Sequence, residues 1–136
     1  MEFFRFEKFA CRCCGRIPPG VRGNIEALVD NVLDPARRIF GGPVSVSSGY
    51  RCPKHNAEVG GVGGSQHLRG EAADICCSDN ERLAEIIERN GRYDQLIRYM
   101  DGNGRVRFVH VSWKRCGVNR YIQVFTNLSM KEQRKC

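Results

Sequence analysis

Two histidines and one aspartate, concentrated in two short segments, have the types and spacing of metal ligands. His67 and Asp74 lie in residues 65–74 (SQHLRGEAAD), and His110 follows 36 residues after Asp74 in residues 109–112 (VHVS). Two of the chain's three histidines belong to this one set. Imidazole nitrogen and carboxylate oxygen both bind zinc, and three protein ligands leave a fourth position for water or substrate. The pattern is therefore that of a catalytic zinc site.

The elements around these residues decide whether the three side chains can meet. Alternation along a predicted strand at 105–113 places His110 on the face opposite to its two valine neighbours. Along a predicted strand at 71–76, Asp74 lies among small side chains, and His67 precedes that strand in a glycine-bounded loop that can fold back toward it. Each residue also has an ordinary alternative: Asp74 as a turn cap, His110 as a satisfied sheet residue and His67 as a solvated loop residue.

The order of predicted elements favours an α+β fold. An apolar stripe at spacings of three and four predicts a helix over 24–40, which Pro35 should kink or split. A second helix is predicted over 80–90, with Asp79 as its N-cap and Gly91 at its end. Strands are predicted over 43–48, 71–76, 94–99, 105–113 and 120–126, the last three as a meander. We expect a single domain over 1–136, with helices packed on one antiparallel sheet.

Composition limits the partners that the protein can have. The formal net charge of +7, from 22 Lys and Arg against 15 Asp and Glu, favours an anionic partner such as a cell-wall polymer. The basic residues form no dense run and no nucleic-acid recognition motif is present, so we expect no nucleic-acid partner. No apolar stretch approaches the roughly 20 residues that span a bilayer, and the charged segment 1–8 does not resemble a secretory signal. We therefore expect a monomer that is made in the cytoplasm and does not insert into membranes.

Eight cysteines raise the question of disulfides or a second metal site. A protein without an export signal is expected in a compartment that keeps thiols reduced, which disfavours a disulfide scaffold. Cys11, Cys13 and Cys14 could form half of a structural zinc site, but the usual Cys-x2-Cys spacing requires Cys11 to pair with Cys14, and no second pair follows. The alternative is a set of buried thiols that act as small hydrophobic groups.

Six segments of the chain occur in the same order in a known family. They are residues 47–53 (SSGYRCP), Asn56, residues 59–62 (VGGV), residues 65–75 (SQHLRGEAADI), residues 93–97 (YDQLI) and residues 109–112 (VHVS). This pattern resembles the zinc D-Ala-D-Ala carboxypeptidase family, from about residue 3 to residue 126. The family includes bacterial cell-wall carboxypeptidases, vancomycin-resistance dipeptidases and phage endolysins, and it shares its fold with the hedgehog signalling domain.

The resemblance implies a function and a role for each site residue. It implies a zinc cofactor held by His67, Asp74 and His110, and a peptidase that cuts peptides of peptidoglycan. Arg51 matches an arginine that binds a substrate carboxylate, for which a planar guanidinium is well suited, and Ser65 matches a serine that contacts substrate beside the metal. A surface arginine and a loop-capping serine are the alternatives. Without an export signal, the protein would reach the wall as a phage-type endolysin does after membrane failure, or by an unusual route.

One part of the family pattern is missing, namely the base that accepts a proton from the attacking water. Family members place it shortly before the last histidine ligand, where this chain has residues 105–109 (RVRFV), and close relatives carry glutamate at the position of Tyr99. Asp94 begins a strand that should neighbour the His110 strand, so it is the candidate catalytic base, with Glu71 a weaker one; Asp94 could instead orient a histidine ligand. A catalytically silent, zinc-binding wall-binding module of the same fold is therefore the alternative function.

Overall fold

Four α-helices and a five-stranded sheet make up the described part of the chain, residues 1–128, in a computed structural model. The helices are α1 (Pro19–Leu28), α2 (Asp34–Phe40), α3 (Pro53–Glu58) and α4 (Asn80–Asn90), and the strands are β1 (Ser45–Ser48), β2 (Ala72–Cys76), β3 (Gln95–Met100), β4 (Val106–Ser112) and β5 (Ile122–Asn127). Short 3-10 helices occupy Phe6–Phe9 and Gln66–Arg69. The α+β class is confirmed, whereas a single domain over 1–136 stays a prediction because its end lies outside the described residues.

The sheet is mixed, with the strand order β1-β2-β4-β3-β5. The first three pairings are antiparallel, but β5 runs parallel to β3, with Ile122 opposite Gln95. The predicted meander, in which β5 would follow β4 as an antiparallel neighbour, is therefore wrong. Both edges of β4 are already paired, with β2 and with β3, so the chain returns after β4 to the start of β3 and extends along its free edge.

The predicted first helix is longer than expected and contains a wide turn. Helical structure runs through α1 and α2 with a π-helical turn at Val29–Leu33 between them. Pro35 has no N–H to donate, and its ring would crowd the carbonyl one turn earlier. The turn just before Pro35 is therefore π-helical, with the Asp34 N–H donating to the Val29 carbonyl five residues earlier. Instead of a sharp kink at Pro35, the helix contains one wider π-helical turn directly before it.

The core lies between the helices and one face of the sheet. Leu28 of α1, Leu83 and Ile87 of α4, and Val109 and Val111 of β4 are each at most 1% exposed and belong to one apolar cluster. Since neighbours along a strand face opposite ways, the residue between the two valines points to the other side of the sheet. Within residues 1–128, none of the helices has the length and apolar character needed to cross a membrane.

Candidate metal centre and substrate cavity

Strand register brings Asp74 and His110 together on the face of the sheet away from the core. Asp74 of β2 lies directly opposite His110 of β4, so the two side chains share one face. The distance from His110 Nδ1 to Asp74 Oδ1 is 3.0 Å. Two residues 36 positions apart in sequence thus become direct cross-strand neighbours.

A short 3-10 helix carries His67 to the same point. The Ser65 hydroxyl accepts a hydrogen bond from the His67 amide at 3.2 Å, which caps the Gln66–Arg69 turn, and Gly70 ends it with a φ of +72°. His67 Nδ1 donates to the Gly49 carbonyl at 2.7 Å, so its Nε2 carries the lone pair and lies 3.4 Å from Asp74 Oδ1. A histidine ligand is commonly oriented in this way, by a carbonyl on its other ring nitrogen.

Glycine is required at position 49 for this carbonyl to be in place. A Cβ atom at Gly49 would lie 2.6 Å from the Cα of Phe9. The Phe9 carbonyl also accepts the Tyr50 amide at 2.8 Å, which holds the two segments together. The N-terminal segment therefore supports His67 indirectly, through the position of the Gly49 carbonyl.

The three side chains fit a tetrahedral zinc ion. One ligand atom from each of His67, Asp74 and His110 lies within 4.8 Å of the others, and all three residues are buried. In a tetrahedron with bonds of about 2.1 Å, ligand atoms are about 3.4 Å apart, close to the 3.4 Å and 3.0 Å found here. The structure brings together all three predicted ligands, and a three-ligand set of this kind would leave one coordination position for substrate or water.

The electrostatics of this cluster favour the ligand forms of its members. Burial lowers the pKa of His67, against the opposing pull of Asp74, so its imidazole is neutral at pH 7. Burial by itself would raise the pKa of Asp74, but its hydrogen bond with the His110 imidazole helps to hold that pKa well below its ordinary value. A neutral imidazole and an ionised carboxylate are the forms that bind metal, so both shifts favour metal binding.

Arg51 is buried against the cluster rather than exposed at the surface. Its Nη2 lies 3.2 Å from Asp74 Oδ2, its Nε donates to Ser48 Oγ at 3.0 Å and its Nη1 donates to Asn56 Oδ1 at 3.5 Å. These bonds fix Asp74 with one oxygen toward the histidines and the other toward Arg51. They use three of the five N–H groups of the guanidinium, and Arg51 also lines the adjoining cavity.

The cluster opens onto a cavity of about 830 Å³ that contains more positive than negative side chains. Arg51, Arg69, Lys114 and Arg120 all line it. Of the carboxylates within residues 1–128, only those of Asp74 and Glu58 are part of the lining. Each of these cations has a carboxylate partner: Arg51 pairs with Asp74, Arg69 with Glu71, and Lys114 and Arg120 share Asp94. A ligand with a free carboxylate can therefore be bound by N–H groups that these pairs leave unused, rather than by a large net charge.

Asp94, predicted as the catalytic base, has a different place in the structure. Its side chain is fully buried and accepts hydrogen bonds from the Arg120 guanidinium at 2.8 and 3.0 Å and from Gln66 Nε2 at 3.1 Å. The hydrogen bonds from Arg120 lower the pKa of Asp94 to about 2. A carboxylate so weakly basic, with both oxygens engaged and outside the cavity lining, is not suited to accept a proton. Within residues 1–128 its side-chain partners are Gln66, Lys114 and Arg120 and include no histidine of the cluster, so it anchors the connection between β4 and β5 instead.

The other residues named from sequence also have defined places. Ser65 lines the cavity, but its hydroxyl caps the His67 turn, which was the alternative considered for it. Glu71 is paired with Arg69 at 2.7 Å. Tyr99, for which the resemblance implied glutamate, stacks on Phe108 with ring centroids 4.4 Å apart, and both residues line the cavity.

Gln66 is a site residue that the sequence interpretation missed. Its Nε2 donates to Asp94, so its Oε1 is the free acceptor, and this buried oxygen has no hydrogen-bond partner among residues 1–128. A buried polar atom without a partner is costly in a folded protein, and Gln66 lines the cavity beside His67. The Oε1 atom is thus available to accept an N–H group from a ligand. In the sequence, only its position between Ser65 and His67 pointed to a role for Gln66 in the site.

Comparison with known proteins identifies the family. The sequence pattern of the family described as Peptidase M15 matches residues 3–112, most of the chain, and so confirms the resemblance. The match includes His67, Asp74 and His110 and ends with β4, so β5 lies beyond it. A search among curated proteins found no match. The chain therefore belongs to the peptidase M15 family of zinc-dependent metallopeptidases.

Proposed function

We propose that this protein hydrolyses peptide bonds in the stem or cross-bridge peptides of peptidoglycan. The observation that carries the proposal is the convergence of His67, Asp74 and His110 on one wall of a large cavity. Family membership supports the reaction type, and the N–H groups that Arg51 keeps unengaged support a peptide carboxylate as the group bound. A phage-type release after membrane failure would bring the enzyme to the wall.

In this proposal His67, Asp74 and His110 hold the zinc ion. When bound, zinc supplies Lewis-acid activation of water and of the scissile carbonyl. The Gly49 carbonyl keeps His67 in the tautomer that presents Nε2, and Arg51 keeps one oxygen of Asp74 turned toward the histidines. These contacts fix the ligands before metal arrives, which lowers the cost of ordering the site.

Arg51 favours cleavage next to a free carboxylate. Its bonds to Ser48, Asn56 and Asp74 leave two of its five N–H groups for a substrate, and Arg51 lines the cavity. A stem peptide that ends in D-alanine has such a carboxylate. We therefore propose a carboxypeptidase mode ahead of an endopeptidase mode.

Glu58 is our candidate for the proton acceptor. Glu58 is exposed at the end of α3. Of the two carboxylates of residues 1–128 that line the cavity, Asp74 is assigned to the metal, which leaves Glu58. General-base catalysis contributes about 10²–10⁴ in rate, so Glu58→Gln should lower kcat by at least about 100-fold with zinc content unchanged. Glu85→Gln, an exposed residue of α4, is the matched control and should leave kcat unchanged.

The test is digestion of purified peptidoglycan followed by mass analysis of the muropeptides. Chelator-treated protein should release nothing, and added zinc should restore release of terminal D-alanine. Cleavage within cross-bridges instead would assign the endopeptidase mode. Zinc-dependent turnover that survives in the His110→Ala variant would show that the cluster is not the catalytic site.

A catalytically silent zinc-binding, wall-binding module is the second candidate. Tyr99 occupies the position of the relatives' glutamate, and Asp94 is fully engaged by Arg120 and Gln66, which favours this alternative. It predicts zinc-dependent retention on purified sacculi without any released muropeptide. Turnover by the wild-type protein excludes it.

A further inference from the structure

Four cysteines from two distant segments meet on the surface of the protein. Cys11, Cys13, Cys14 and Cys52 are all free thiols, and one sulfur from each lies within 4.8 Å of the others. The Cys13 sulfur is 3.8 Å from that of Cys11 and 3.4 Å from that of Cys52. Cys11 is buried, Cys52 is half-buried, and Cys13 and Cys14 are exposed. Of these four, only Cys11 is fully buried, so burial as small hydrophobic groups does not account for the cluster.

The spacing of the sulfurs matches a tetrahedral tetrathiolate site. With a Zn–S bond of about 2.3 Å, the sulfurs of a tetrahedron are about 3.8 Å apart, near the two separations found here. Tetrahedral sites with four sulfurs are typical of zinc. The predicted obstacle, the lack of a second cysteine pair, is removed because Cys52 supplies the fourth sulfur from 39 residues beyond Cys13.

Backbone amides point at the sulfurs as they do around metal-bound thiolates. The Cys52 amide donates to the Cys11 sulfur at 3.4 Å, and the His55 amide donates to the Cys52 sulfur at 3.4 Å. Such N–H···S bonds stabilise sulfur that carries negative charge, and they orient it toward a metal.

The turn that carries three of the cysteines is closed by its own backbone. The Gly15 amide donates to the Cys11 carbonyl at 2.7 Å, and the Cys11 amide donates to the Arg16 carbonyl at 3.1 Å. Gly15 has a φ of +69°, which a glycine adopts without strain and which reverses the chain directly after Cys14. The three sulfurs are thus held near one another by the fold before any ion binds.

We propose that Cys11, Cys13, Cys14 and Cys52 bind a second, structural zinc ion. Each ligating thiol gives its proton to solvent as the thiolate binds the metal. This site is separate from the His67, Asp74 and His110 cluster, and the inference does not depend on the proposed function.

The consequence of this second site is to fix the segment that carries Arg51. Cys52 follows Arg51 directly, and the Arg51 amide donates to the His67 carbonyl at 3.0 Å. An ion that joins Cys52 to the turn at Cys11–Cys14 would tie the N-terminal segment to Arg51 and, through the Arg51 amide, to His67, both of which line the cavity. Arg51 is thereby held against Asp74 by constraints on both its backbone and its side chain.

The test is metal content, measured by elemental mass spectrometry on the full chain after removal of loosely bound ions. Wild-type protein should contain two zinc ions per chain. The double variant Cys13→Ser and Cys14→Ser should lose half of that zinc, and His110→Ala should lose the other half. Cys77→Ser with Cys116→Ser, two free cysteines outside the cluster, is the matched control and should lose none.

A second measurement on wild-type protein covers the case in which the cysteine variant fails to fold. Cobalt should replace zinc and give the intense near-ultraviolet charge-transfer bands of thiolate-bound cobalt, absent from nitrogen and oxygen sites. Absence of these bands in folded wild-type protein would overturn the proposal. So would full zinc content in the folded cysteine variant, or a disulfide between Cys13 and Cys52 in the protein as purified. Wild-type protein that contains only the cysteine-bound ion would count against the proposed function and leave this inference intact.

Discussion

Replacing Asp74 by asparagine should destabilise the metal-free protein strongly, because it leaves the buried Arg51 without its charge partner. Arg51 is 8% exposed and its Nη2 lies 3.2 Å from Asp74 Oδ2. At an effective dielectric constant of about 20, two charges at that distance attract by about 5 kcal/mol. Removing one member of a buried pair costs about 3–5 kcal/mol, since the remaining charge stays desolvated. We therefore expect Asp74→Asn to lower the free energy of unfolding by about 3–5 kcal/mol.

Urea denaturation in the presence of a chelator measures this free energy without a contribution from zinc. Arg51→Met removes the buried charge while keeping an apolar side chain, so the double variant Asp74→Asn with Arg51→Met should be more stable than Asp74→Asn alone. A loss below about 1 kcal/mol for Asp74→Asn, or additive effects in the double variant, would refute the buried pair. Because the pKa of Asp74 lies well below its ordinary value, its contribution is complete above about pH 4 and is lost only as the pH falls below that.

The remaining predictions concern the surroundings of the site. Asp94→Asn should lower the free energy of unfolding by about 2 kcal/mol, because it weakens the hydrogen bonds from the charged Arg120. Since the pKa of Asp94 is about 2, this stabilisation is present above about pH 4 and disappears as the pH falls toward 2. Measuring the free energy of unfolding as a function of acid pH tests this. Gly49→Ala should displace the carbonyl that orients His67 and weaken zinc affinity about 10–100-fold in competition with a chelator, and unchanged affinity would contradict the orienting role. Gln66→Met should raise KM about tenfold with unaltered zinc content if its Oε1 accepts an N–H from substrate; an unchanged KM would assign that atom no role in binding.

Structure that depends on residues close in sequence was predictable, whereas pairings between distant strands of the sheet were predictable only in part. Helix caps, glycine stops and strand alternation are local features, so the bounds of α4 and of β2 to β4 agree with the prediction to within about two residues. The parallel β5 could not be predicted, because its place depends on both edges of β4 being already occupied. Local rules favour an antiparallel neighbour after a short connection.

The three ligand candidates were predictable because their residue types and family spacing are distinctive. The hydrogen-bond and ion-pair partners that determine the roles of the residues around the ligands were not predictable from the sequence. Asp94 looked like a free carboxylate beside the site, but Arg120, 26 residues later in a connection without regular structure, engages it completely. Likewise, the role of Cys52 depends on a meeting of two segments 39 residues apart, which spacing alone does not reveal.

Anomalous diffraction at the zinc absorption edge, from crystals grown with zinc, would locate the metal ion itself. We expect a peak at about 2.0–2.2 Å from Nε2 of His67, Oδ1 of Asp74 and Nδ1 of His110. The distances of 3.4 Å and 3.0 Å between these atoms leave room for one ion. No peak between these three side chains, with Arg51 still paired to Asp74, would contradict the account.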